Sequence, residues 1–176
     1  MDNRDQKNPT GLLLNGSCHC NAVRFTVRSH TPYPYMRCYC SICRKTAGGG
    51  GYAINIMGIA DTLDVEGEAH VTVYQARLYD RKNPGRFEVS QGRRHFCGLC
   101  GSALWIWDPK WPELVHPFAS TIDTTLPLPP ERLRFFLADK PEWVSVSEPD
   151  QADSHFDAYP FESIEAWHRR LGLWQD

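Results

Sequence analysis

Seven cysteines constrain this chain more than any other feature, because all of them fall into three short groups. The groups are Cys18 and Cys20, then Cys38, Cys40 and Cys43, and finally Cys97 and Cys100. An odd number of cysteines argues against a complete disulfide framework. Thiols spaced by one or two residues can instead direct their sulfurs at one ion, and zinc prefers four such ligands in a tetrahedron. The pattern therefore predicts bound zinc.

The sizes of the three groups predict how the ligands are shared. Only the two pairs together supply four ligands without splitting a group, so they are predicted to form one closed structural site. The central group of three then forms a second site. A site with three protein ligands leaves a fourth position for water or substrate, which is typical of a catalytic metal. We therefore expect two zinc ions per chain, one structural and one catalytic.

Two other interpretations of the cysteines stay open. A histidine could complete the central group and make both sites structural, and the candidates are His19, His95 and His116. Alternatively, the cysteines could form disulfides or lie unliganded in the core. The surrounding sequence favours metal, because the chain shows no signal-peptide core and reads as cytoplasmic, where thiols stay reduced.

Length and charge limit the possible partners. A chain of 176 residues fits one globular domain, and its net charge of −2 favours neither nucleic acid nor a membrane surface. The charge is uneven, since residues 142–176 carry eight acidic and two basic side chains. The part that bears the motifs is therefore mildly positive, which suits a small anionic substrate. An aromatic-rich segment, Trp105–Phe118, belongs either to the core or to a homodimer interface.

Short runs of alternating apolar and β-branched residues predict a mainly β fold. Among the expected strands are Val71–Tyr79, Ala103–Trp107 and His116–Ile122, with a turn at Gln91-Gly92. Only the end of the chain reads as a helix, capped by Ser163 and followed by apolar residues at helical spacing.

The chain is predicted to have three parts. Residues 1–10 read as a flexible leader, residues 11–144 as the zinc-binding domain, and residues 145–176 as an acidic tail whose C-terminal helix packs on that domain.

Several residues near the central cysteines are candidates for binding substrate. Arg44 and Lys45 follow Cys43 directly and could clamp carboxylates or, with Arg37, offset the charge of three thiolates; a solvated charge pair is the alternative. Gly48–Gly51 could present backbone N–H groups to an anion, although a packed turn is the simpler interpretation. Trp105, Trp107 and Trp111 could line a pocket, but aromatic residues more often pack in the core.

Three stretches resemble the signatures of the glutathione-dependent formaldehyde-activating enzyme family, which also includes centromere protein V. They are Gly16-Ser-Cys-His-Cys-Asn-Ala-Val-Arg-Phe, Cys38-Tyr-Cys-Ser-Ile-Cys-Arg-Lys-Thr-Ala-Gly and His95-Phe-Cys-Gly-Leu-Cys-Gly-Ser. The resemblance implies a β-tent fold of small antiparallel sheets around two zinc ions. It implies that Cys18, Cys20, Cys97 and Cys100 hold a structural zinc and that Cys38, Cys40 and Cys43 hold the zinc of the active site.

The resemblance also implies an activity. It is that of a carbon–sulfur lyase that interconverts glutathione plus formaldehyde with S-hydroxymethylglutathione. We therefore expect a zinc-dependent lyase acting on a small thiol–aldehyde adduct, with glutathione as a possible substrate. The alternatives are a non-catalytic zinc module that binds a partner, and a related lyase with a different small substrate.

Overall fold

The protein is mainly β, as the sequence predicts. The computed structural model describes residues 10–80, 82–149 and 151–176, so the predicted leader lies outside the described residues except for Thr10. The strands are β1 (Leu12–Ser17), β2 (Arg24–Ser29), β3 (Met36–Cys38), β4 (Ala53–Ile54), β5 (Gly58–Ile59), β6 (Asp64–Glu66), β7 (Val71–Tyr79), β8 (Phe87–Cys97), β9 (Ala103–Trp107), β10 (Leu114–Pro117), β11 (Arg132–Phe135) and β12 (Asp153–His155). The α-helices are α1 (Ser41–Thr46) and α2 (Ile164–Arg170).

The strands form three small sheets. The first has the order β1-β2-β6 and the second the order β5-β10-β9-β8-β7, and all their pairings are antiparallel. The third has the order β12-β11-β3-β4. In that sheet β11 runs parallel to both β12 and β3, so the expectation of antiparallel sheets holds for two sheets and the third is mixed.

Two of the predicted strands have the predicted bounds, and others differ. β7 and β9 match the expectation, because strict β-branched and aromatic patterns define them. The expected turn at Gln91-Gly92 is wrong, since β8 runs unbroken for 11 residues through both positions. The strand expected over residues 116–122 ends at Pro117 and continues as a 3-10 turn, Ala119–Thr121.

Two hydrophobic cores lie between the sheets, and each contains cysteines. The first core includes Cys18 and Cys97 among aliphatic side chains such as Leu14 and Leu104. The second includes Cys38 and Cys43, packed with aromatic residues. Each cysteine cluster is therefore anchored in its own core, which fixes its sulfurs more firmly than an exposed loop would.

The end of the chain is packed into the second core. α2 begins after Ser163, whose hydroxyl accepts a hydrogen bond from the Ala166 N–H at 3.1 Å, so the predicted cap is confirmed. Trp167 is 2% exposed and stacks on Tyr35, with ring centroids 3.8 Å apart. β12 adds a strand to the third sheet, where Asp153 forms a buried 2.8 Å ion pair with Arg134. Residues on both sides of position 144 thus share one sheet. The boundary between the zinc-binding domain and the tail at this position stays a prediction.

The aromatic segment between Trp105 and Phe118 belongs largely to the core. Trp105 and Phe118 are both buried, whereas Trp111 is 52% exposed. The homodimer remains a prediction. Within the described ranges, no helix is both long and apolar enough to cross a membrane.

Candidate metal centres

The first cluster brings together cysteines from opposite ends of the motif-bearing chain. Cys18 and Cys20 follow β1, while Cys97 ends β8 and Cys100 lies in the next turn. Their four sulfurs all lie within 4.8 Å of one another. The Sγ atoms of Cys18 and Cys20 are 3.5 Å apart, and those of Cys20 and Cys97 are 3.8 Å apart. Four sulfurs bound tetrahedrally to zinc at about 2.3 Å would be about 3.8 Å apart, so the cluster fits that ion.

Hydrogen bonds to two sulfurs of the first cluster, those of Cys18 and Cys100, favour thiolates. The Val23 N–H donates to Cys18 Sγ at 3.3 Å, and the Ser102 hydroxyl lies 3.2 Å from Cys100 Sγ. The hydrogen bond from Ser102 lowers the pKa of the Cys100 thiol to about 5. Ser102 Oγ also accepts from the His19 N–H at 3.1 Å. Since metal-bound cysteines are deprotonated, these contacts suit a bound cation.

The second cluster is built at the junction of β3 and α1. Cys38 ends β3, Cys40 is the N-cap of α1, and Cys43 lies in its first turn. The Cys43 N–H donates to Cys40 Sγ at 3.3 Å, so a thiol takes the capping role that serine or aspartate usually has. The three sulfurs lie within 4.8 Å of one another, and Cys38 and Cys43 are buried. The C-x-C-x-x-C spacing forms one site because a strand end and a helix start meet there.

The three sulfurs of the second cluster share negative charge. Hydrogen bonding from Cys38 lowers the pKa of Cys40, and hydrogen bonding to Cys40 raises the pKa of Cys38. The cluster therefore holds at least one thiolate easily, which fits a soft divalent cation.

Among the described residues, no histidine or carboxylate joins the three sulfurs of the second cluster. His19 lies beside the first cluster, where its backbone bonds Ser102. His95 stacks on Trp105 with ring centroids 5.1 Å apart. Burial lowers the pKa of His116 to about 4, although it too stands outside the group. Neither His95 nor His116 supplies the fourth ligand that would close the cluster. The structure thus gives a set of four and a set of three, which is the grouping that counting predicts.

Two residues near the second cluster were not found from the sequence. Arg94, on β8, has its Nη2 atom 3.6 Å from Cys43 Sγ. Tyr159 packs edge-on against Phe136, with ring centroids 4.6 Å apart. Although most of the Tyr159 side chain is exposed, partial burial raises its pKa, and the negative charge of the three sulfurs adds to this effect. No local pattern marks either residue, since Arg94 contacts the cluster, and Tyr159 is affected by its charge, only through tertiary packing.

The predicted substrate-binding residues line a separate cleft of about 450 Å³. Its polar lining comes from Arg44, Lys45, Thr46, Ser102, Ser120 and Thr121. No acidic side chain of the described chain lines it, nor do the three cysteines, although Arg44 directly follows Cys43. Arg37, the third predicted cation, lies over the Tyr52 ring at 5.0 Å, and its role in offsetting the thiolates stays a prediction.

The four glycines after α1 form a tight turn. The Gly51 N–H donates to the Gly48 carbonyl at 3.2 Å, and Gly51 has a φ of +85°. A Cβ on Gly48 would lie 2.1 Å from the Tyr52 carbonyl oxygen. The packed turn is therefore sufficient to explain these glycines, though Gly48 and Gly49 also border the cleft.

The fold and its two clusters define a class: a small mainly β protein with two cysteine sites that could bind metal ions. The family model for the glutathione-dependent formaldehyde-activating enzyme matches residues 13–139. This range contains all seven cysteines. The chain belongs to that family.

A relative and a solved structure resemble the chain. A Halomonas elongata protein named "Putative glutathione-dependent formaldehyde-activating enzyme" is 59% identical over 162 residues, which cover 92% of this chain and 98% of that protein. A crystal structure of a Rhodobacter sphaeroides protein is 25% identical, with a TM-score of 0.48 and coverage of 64% of this chain and 91% of that one.

Proposed function

We propose that the protein is a zinc-dependent carbon–sulfur lyase that forms or cleaves a thiol–aldehyde adduct such as S-hydroxymethylglutathione. The observation that carries this proposal is the three-cysteine cluster, whose sulfurs converge without a fourth ligand from the described residues. Family membership supplies the substrate class, since the family is named for glutathione and formaldehyde. A zinc ion held there would supply a Lewis acid to the carbonyl oxygen or the thiol.

The two clusters have different proposed roles. Cys18, Cys20, Cys97 and Cys100 would hold a structural zinc, because four thiolates saturate a tetrahedral ion. Cys38, Cys40 and Cys43 would hold the catalytic zinc and leave one position open. Their burial in the second core keeps the three sulfurs oriented before substrate arrives, which reduces the reorganisation needed at the reactive position.

Arg44 and Lys45 would bind the carboxylates of the thiol substrate. Glutathione carries two carboxylates, and the cleft offers two cations and several hydroxyl groups without an acidic side chain among its described lining residues. The Nε atom of Arg44 is buried and has no hydrogen-bond partner, which leaves a donor that a bound anion would satisfy. Binding the carboxylates there would hold the thiol near the cluster and raise its effective concentration.

The test measures exchange between glutathione, formaldehyde and their adduct by NMR. The zinc-loaded protein should accelerate exchange over buffer, and Cys40→Ser should abolish the acceleration. The double variant Arg44→Gln/Lys45→Gln should raise KM for glutathione with a smaller effect on kcat. No acceleration by protein that holds both zinc ions would exclude the glutathione reaction, and acceleration with other small thiols would then identify a related lyase.

A further inference from the structure

Arg94 lies where the second sheet meets the three-cysteine cluster. It lies on β8, opposite Tyr74 of β7 and Ile106 of β9. Its Nη2 atom donates to Cys43 Sγ across 3.6 Å. Its Nη1 atom is buried and has no hydrogen-bond partner. A residue 51 positions from Cys43 in sequence thus directs a cation at one of the three sulfurs.

The guanidinium of Arg94 has no carboxylate partner among the described residues. The ion pairs of the described chain use other arginines, namely Arg134, Arg169 and Arg170. Arginine stays charged in proteins, and a buried charge without a counter-charge is strongly unfavourable. Arg94 is half-buried and its Nη1 atom is fully buried, so the cysteine cluster that its Nη2 atom contacts is the counter-charge that the described residues offer.

The net charge of the three-cysteine cluster, once loaded with zinc, explains why it needs a nearby cation. Three thiolates and one Zn²⁺ carry a net charge of −1, which Arg94 reduces to zero. The four-cysteine cluster would carry −2, but Cys20 and Cys100 are exposed to water, which solvates that charge. Two of the three cysteines in the second cluster are buried, so its charge needs a partner within the protein.

We propose that Arg94 is a positioning residue of the three-cysteine site. It donates to the Cys43 thiolate and cancels the net charge of the loaded site, and both effects retain the metal while its fourth position stays open. The inference rests on the metal site of the proposed function and is independent of the substrate. Partners of metal ligands typically change metal affinity by roughly 10- to 100-fold, and we expect a loss of that size at this site only.

Arg93 provides a matched control. It is adjacent on the same strand and has the same charge, but its guanidinium lies over the Trp107 ring at 5.1 Å. Alternate residues of a strand point to opposite faces, so Arg93→Gln removes the same charge from the other side of the sheet. A general effect of net charge or of strand stability would appear in both variants.

The experiment compares the full-length protein with Arg94→Gln, Arg94→Lys and Arg93→Gln. Zinc is titrated away with a chromophoric chelator, and each protein is also loaded with Co²⁺ to record its thiolate-to-metal absorption bands. Arg94→Gln should lose one of two ions at least tenfold more easily and shift the bands of that ion. Arg94→Lys should show a smaller loss, because it keeps the charge without the planar donor geometry. Arg93→Gln should match the wild type.

Several outcomes would overturn the inference. They are wild-type affinity at both sites in Arg94→Gln, an equal loss in Arg93→Gln, and fewer than two bound ions in the wild type. If Arg94→Gln does not fold, Arg94→Lys decides: a selective loss of one ion supports the inference, and unchanged affinity and spectra contradict it. Because no readout uses glutathione, failure of the lyase reaction would leave these results unchanged.

Discussion

His116 is a histidine that the fold keeps neutral. It lies on β10 opposite Ile106, and burial lowers its pKa from 6.5 to about 4. Between pH 6.5 and about pH 4, His116 binds a proton in the unfolded chain but not in the folded protein. The free energy of unfolding should therefore fall as the pH falls below about 6.5. We expect His116 to contribute a loss of about 2 kcal/mol between pH 7.5 and pH 5. Urea unfolding at several pH values measures this loss.

The variant His116→Gln isolates that contribution. Glutamine does not titrate, so the variant should lose less stability than the wild type over the same pH interval. His95 and His168 also have pKa values lowered by burial, and they titrate in both proteins. Any loss of bound metal at low pH would likewise affect both proteins. Parallel pH profiles for the two proteins would show that His116 is protonated in the folded state.

The two cysteine clusters that could hold metal ions follow from the sequence, but their surroundings could not be predicted from it. The cysteines lie one or two residues apart, so spacing alone implies shared ligation. Arg94 contacts Cys43 from 51 residues away, and nothing in its neighbourhood distinguishes it from Arg93. Arg37 is nearer in sequence to the cluster, yet its guanidinium lies over Tyr52.

At the scale of elements, α2 should contribute much of the stability of the second core. Trp167 is 2% exposed and stacks on Tyr35 of the chain segment before β3. Trp167→Ala would remove this stack and leave a cavity, at a cost of about 3–5 kcal/mol. The free energy of unfolding in denaturant is the appropriate measurement.

Trp143→Ala is the control for this prediction. Its side chain is 70% exposed, so we expect a change within about 0.5 kcal/mol. If the two tryptophan variants lost the same stability, α2 would be only loosely attached to the rest of the protein.

Element boundaries could be predicted where local pattern and pairing agree. β7 and β9 follow from their composition, whereas the Gln91-Gly92 pair predicts a turn and instead lies within β8. The register between β7 and β8 shifts there, with Gln75 opposite Arg93 and Arg77 opposite Val89. The glycine therefore lies in a bulge of β8, and the β7 pairs on either side of the bulge, at Arg93 and Val89, keep the chain extended.

At the scale of the whole molecule, the sequence predicts a mainly β class but not the mixed sheet. The parallel pairs join β11 to β3 and β12, elements that are separated by long stretches of chain. Periodicity identifies a strand but contains no information on its partner or direction. The ion pair of Arg134 with Asp153 depends on that pairing and could not be predicted either.

The four-cysteine cluster should contribute mainly to the stability of the fold, whereas the three-cysteine cluster should contribute mainly to the proposed lyase activity. The first joins the loop after β1 to the turn after β8, and Cys97 is 1% exposed. A structural zinc can contribute on the order of 10 kcal/mol to folding, so Cys97→Ser should lower the melting temperature strongly or prevent folding. Cys40 is only partly buried, and a serine there can still cap α1.

Cys40→Ser should therefore retain a folded protein that has lost one zinc ion and the lyase activity. Thermal unfolding, a metal count and the exchange assay on both variants test this difference. Equal losses of melting temperature would mean that the second cluster is also structural. The comparison is informative because both variants exchange one sulfur for one oxygen, so the chemical change is the same at two sites that differ in burial and in what they join. Only the first cluster joins two distant parts of the chain, since the second forms within one strand–helix junction.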